Sequence, residues 1–72
     1  MNLTETTKLL TLLARSESKV QIWMRLDGKL VNMTHDSNPI LASDALIAVK
    51  AAHDTANDFG VEATFSLSRW DW

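Results

Sequence analysis

The pair Asp27-Gly28 constrains what this chain can fold into more than any other feature. It lies inside VQIWMRLDGKLVNM, Val20 to Met33, between two runs that alternate apolar and polar residues. That is the period of a half-buried strand. Both central residues of a type I′ turn need positive φ, which glycine and aspartate tolerate best, so the stretch reads as a two-residue β-hairpin. So short a loop permits one register. Leu26 then faces Lys29, Met24 faces Val31, Ile22 faces Met33 and Val20 faces His35. Because side chains alternate along a strand, the register sorts them into two faces. Val20, Ile22, Met24, Leu26, Val31 and Met33 form a core face. Gln21, Trp23, Arg25, Leu30, Asn32 and Thr34 form the other, which is polar apart from a tryptophan and a leucine.

Two helical segments flank the hairpin. Asn2 can cap a helix whose third residue, Glu5, returns the bond, and the pattern predicts a helix from Leu3 to Glu17. Leu9, Leu10, Leu12 and Leu13 cover more than a narrow stripe, which leaves Leu12 at a boundary. A polar break over Ser16 to Ser18 leads into the hairpin. After Met33, the run Thr34 to Asn38 is rich in turn residues. Asn38 can cap a second helix with Pro39 at its first position, and Ser43 or Asp44 can cap a later start. This helix runs to Asp58, with Ala45, Leu46, Val49, Ala52 and Ala56 on one stripe and Ile47 outside. Lys50 and Asp54 form an i,i+4 pair. Phe59-Gly60-Val61 is a stop, with Gly60 left-handed and Val61 folded back on the last turn. Alternation from Val61 to Trp70 predicts a third strand.

The order α-β-β-α-β predicts one α+β domain over residues 1–72. It has two layers: a three-stranded, mainly antiparallel sheet, with both helices on one face. A crossover through the second helix places the third strand beside the first, giving order 2-1-3. The alternative, the third strand beside the second, requires a parallel pair.

Composition limits the chemistry. The chain is 72 residues long and 46% hydrophobic, enough for a core. It has no cysteine, so neither a disulfide nor a thiolate metal site can staple it, which fits a reducing, cytoplasmic setting. No apolar run reaches the roughly 20 residues that span a bilayer. Lys8 interrupts the N-terminal leucines and no cationic segment precedes them, unlike a signal peptide. Seven Lys and Arg against nine Asp and Glu give a net charge of -2, without the basic patch that nucleic acid requires.

No residue set points to catalysis, a cofactor or a metal. His35 and His53 are the only histidines and match no zinc spacing. His35-Asp36-Ser37 holds the residue types of a triad, but triads are assembled from separate segments. The two glycines both have turn roles, so no phosphate loop remains. The αββαβ order is similar to that of several small folds, the extended KH type among them. That module clamps a nucleic-acid backbone with a GxxG loop, which this chain lacks.

What stands out is the outer face of the hairpin. Trp23 and Arg25 are residue types enriched at interface hot spots, with Leu30 beside them and Trp70 and Trp72 at one end. The expected function is therefore protein binding, as a homodimer and as an inhibitor or adaptor of a larger complex, in the manner of small phage or mobile-element proteins. The residues expected to carry it are Trp23, Arg25, Leu30, Trp70 and Trp72. In a second reading Trp23 and Arg25 stack single-stranded nucleic acid, against which the thin local basic charge and acidic balance count.

Overall fold

The turn forms as its residues dictate. Asp27 and Gly28 have φ of 50° and 79°, the left-handed pair of a type I′ hairpin. The computed structural model describes residues 1–34 and 38–69, with only the backbone at position 69. It contains α1 (Leu3–Arg15), β1 (Lys19–Leu26), β2 (Lys29–Asn32), β3 (Ile40–Leu41), α2 (Ala42–Asp58) and β4 (Ala63–Arg69). β1 is central. β4 runs antiparallel along one side of it, from Val20–Arg69 to Leu26–Ala63. β2 and β3 share the other side, β2 against Trp23 to Leu26 and β3 against Lys19 and Val20. The fold is thus a two-layer α+β domain with the crossover strand beside the first hairpin strand.

The second edge departs from the sequence expectation. Continuing the β1–β2 register would bring residue 35 opposite Val20, but Ile40, five residues further along the chain, stands there. Side-chain chemistry at Asn32 and Thr34 breaks the ladder. Ile22 still accepts from the Met33 N–H at 2.9 Å. Its own N–H, however, donates to Thr34 Oγ1 at 3.2 Å rather than to a backbone carbonyl. Thr34 N–H and Oγ1–H both donate to Asn32 Oδ1, at 3.0 and 3.1 Å. Such local side-chain bonds compete with the ladder. Thr34 is therefore buried, and not on the outer face. His35 lies outside the described residues.

Both helices end in the same hydrogen-bond motif with different residues. In α2, Val61 N–H donates to Ala56 O at 2.9 Å and Gly60 N–H to Asn57 O at 3.0 Å, with Gly60 at φ 70°. This is a Schellman cap. In α1, Ser18 N–H reaches Leu13 O and Glu17 N–H reaches Ala14 O, both at 3.1 Å. There the left-handed residue is Glu17, at φ 54°. This shortens α1 to Arg15, where Glu17 was the expected last residue. The start of α1 follows the sequence: Glu5 N–H donates to Asn2 Oδ1 at 2.8 Å and Asn2 N–H to Glu5 Oε1 at 3.4 Å. The start of α2 does not. None of Asn38, Ser43 and Asp44 caps it. Leu41 holds the cap position without a side-chain bond, and the Ala42 N–H instead donates to Ser18 O at 2.9 Å, extending the β3 ladder. The sheet thus satisfies the first of the helix's amides, in place of a helical partner.

Leu10 of α1, Val49 of α2, Val20 and Ile22 of β1 and Phe65 of β4 form the buried centre, at 1% exposure or less. Ala42, Ala45 and Ala56 bring α2 close to the sheet. α1 lies over β4, while α2 packs against α1 and lies over β1 and β3. β2 projects beyond this cover. Val31, expected in the core, is consequently 42% exposed.

Candidate functional site

The cross-strand pairs assemble the outer face. Arg25 stands between Leu30 on β2 and Thr64 on β4. Trp23, one pair along, stands between Asn32 and Ser66, and Gln21 faces Ser68. Opposed residues in an antiparallel sheet lie close enough for their side chains to touch. So three of the five expected contact residues, Trp23, Arg25 and Leu30, share one patch. Trp23 is half-buried among short polar side chains, Arg25 is exposed, and Leu30 is 58% exposed. No helix covers this face, because both pack on the opposite one. Trp70 and Trp72 lie outside the described residues.

The patch carries one cation and a row of hydroxyls. At the hairpin tip it runs into an open hollow of about 490 Å³ lined by Arg25, Asp27, Gly28, Glu62 and Thr64. The two carboxylates offset the guanidinium, so the hollow is no concentrated anion site.

The remaining ionisable groups do not converge. Lys50 Nζ holds both oxygens of Asp54 at 2.8 and 2.9 Å on the exposed side of α2. That bond keeps the Asp54 carboxyl below its ordinary pKa. His53 Nδ1 is enclosed, 3.8 Å from Asp54 Oδ1, and has no hydrogen-bond partner among the described residues. No group of three or more His, Cys, Asp or Glu residues could hold a metal among the described residues. The His35-Asp36-Ser37 run lies outside them. No helix among the described residues is long and apolar enough to cross a membrane.

A second apolar surface escapes the sequence reading. Between α2 and the hairpin lies a groove of about 560 Å³, lined by Met24, Leu26, Ala51, Thr55, Phe59 and Val61. Phe59 is 79% exposed at its end. In the sequence Phe59 is part of a helix stop and Val31 part of a core face. The available signal was the ring itself, a large apolar residue at a cap position that usually exposes its side chain.

The fold and the patch define the class: a small two-layer α+β domain with a tryptophan on the sheet face that neither helix among the described residues covers. No protein-family model matches the chain, and no curated protein or solved structure is significantly similar to it.

Proposed function

We propose that this chain is a non-enzymatic, cytoplasmic protein-binding domain that works as a homodimer and acts as an inhibitor or adaptor of a larger protein complex. The supporting observation is the Trp23–Arg25–Leu30 patch on the sheet face opposite both helices. A half-buried indole is already held in place by its strand neighbours, so little side-chain freedom is lost when a partner covers it. Tryptophan and arginine at the centre of a patch, with polar side chains around them, match the composition of binding hot spots. Trp70 and Trp72, which follow β4 in the sequence, belong to the proposed contact set.

The test is affinity capture from the native host on immobilised protein, wild type against Trp23→Ala. Loss of a captured partner with a melting temperature within a few degrees of wild type supports the reading. Equal capture by both proteins sinks it. A titration with labelled single-stranded DNA and RNA at low salt, where electrostatic affinity is greatest, is expected to show no binding. Binding abolished by Trp23→Ala would transfer the patch to nucleic acid.

A further inference from the structure

We propose that β2 is a self-pairing edge: a second copy of this chain joins it antiparallel about a two-fold axis perpendicular to the sheet, and the apolar grooves of the two copies close against each other. This rests on the homodimer part of the reading above and gives it a location, along the β2 edge and the helix side of the sheet.

The two edges of the sheet differ. On β4, Met1 N donates to Phe65 O at 2.7 Å and Phe65 N–H donates to Met1 O at 2.8 Å, which occupies the middle of that edge. β2 has no such cover at Leu30 among the described residues. Its odd positions pair inward with β1, so alternation turns the N–H and C=O of Leu30 outward. Native edges are blunted by charge, proline or a bulge. β2 reads Lys-Leu-Val-Asn and offers one lysine. It also exposes apolar side chains on both faces, Leu30 outside and Val31 inside. An edge that is apolar on both faces fits a further strand, and the groove beside it fits a further helix-covered layer.

A second copy supplies both. With β2 against its symmetry mate, the two β1 strands stand three strand spacings apart, roughly 14 Å. α2 lies over β1, so the two α2 helices face each other across about that distance, where packed helices lie about 8–10 Å apart. Val31 and Phe59 of both copies occupy the few ångströms between. The arrangement is isologous, since each copy presents the same strand, groove and ring. Phe59 alone offers about 160 Å², taking roughly 200 Å² for a whole aromatic side chain. With half-exposed Leu30 and Val31 and the groove lining, the pair buries on the order of 1,000 Å² in total, the lower bound for a specific interface. An interface of this size belongs with the weak, transient ones.

Sedimentation velocity from about 1 μM to about 1 mM, a span that brackets an interface of this size, provides the test. The wild type is expected to pass from monomer to dimer. Val31→Asp and Phe59→Ser are expected to remain monomeric throughout, with helical circular dichroism unchanged. Phe59 is exposed enough that its loss leaves the monomer folded, so this variant decides if Val31→Asp does not fold. Trp23→Ala is expected to dimerise as wild type. A wild type that stays monomeric at every concentration overturns both this inference and the homodimer. A dimer that survives Val31→Asp and Phe59→Ser, or one lost only in Trp23→Ala, overturns the location at β2 and leaves the homodimer standing.

Discussion

Replacing Glu17 by glycine should stabilise the domain. Glu17 holds the left-handed position of a Schellman cap at φ 54°. An L-residue there brings its Cβ too close to a carbonyl oxygen, at about 1–2 kcal/mol. Glycine removes that clash but loses more freedom on folding, by roughly 0.5–1 kcal/mol. The Glu17 side chain is exposed, so little else is given up. The net gain is about 0.5–1 kcal/mol. At this size about 1 kcal/mol moves the melting temperature by about 4–8 °C, so Glu17→Gly should melt roughly 2–8 °C higher. Paired thermal and urea melts by circular dichroism measure it, with an unchanged urea slope showing that the compactness of the unfolded state has not changed. Glu17→Ala is the control, because alanine retains the Cβ. If alanine gains as much as glycine, the effect comes from the charge and the reasoning fails. A lower melting temperature for Glu17→Gly refutes it outright.

Three further outcomes follow. Gly60→Ala should lose about 0.5–1 kcal/mol, the left-handed clash less the freedom that glycine gives up on folding, since no atom lies within 4 Å of the added Cβ; a urea melt reads it. Thr34→Val should cost about 1–3 kcal/mol by leaving the Ile22 amide unpaired, whereas Thr34→Ser keeps the hydroxyl and costs less, and the order of the two melts checks this. Lys50 holds Asp54 below its ordinary value of 3.8, so the charged carboxylate stabilises the fold above that pH and the contribution is lost as pH falls toward the lower folded value. NMR titration of the Asp54 carboxyl should show the depressed value in wild type and a shift upward from it in Lys50→Met.

What was legible in the sequence was local. The Asp27-Gly28 turn, the Asn2–Glu5 cap, the Gly60 stop and the alternation of β1 each depend on residues within a few positions of one another, and all are found in the structure. The strand order followed from the central strand being the longest and most regular. The α1 stop was overrun because its left-handed residue is a glutamate, which carries none of glycine's signal. The start of α2 was missed because its first amide is satisfied by Ser18, more than twenty residues away in sequence. Parity correctly assigned Val31 to the helix side of the sheet but says nothing about how far sideways the helices extend. That depends on the small residues Ala42, Ala45 and Ala56, which let α2 settle over β1 and leave β2 uncovered. The Trp23–Arg25–Leu30 patch was legible for the same reason as the hairpin, since a two-residue loop fixes which residues stand opposite. The α2 groove was not, because it exists only where a helix stops short of a strand.

The two proposed surfaces meet in β2, and this sets how they can be separated. Leu30 and Val31 are neighbours in sequence, yet one contributes to the Trp23 face and the other to the groove side. Their separation is maintained by the strand period alone. A one-residue slip of β2 against β1 would exchange them, placing Val31 beside Trp23 and Leu30 in the groove. The register is held from one end by the left-handed pair at Asp27 and Gly28 and from the other by the Met33–Ile22 bond, which the Asn32–Thr34 bond flanks. Changes at either end thus disturb partner face and groove together. Changes at Trp23 or Phe59, which lie off β2, address one surface each. Substitutions at the turn cannot distinguish partner binding from self-association, whereas Trp23→Ala and Phe59→Ser can.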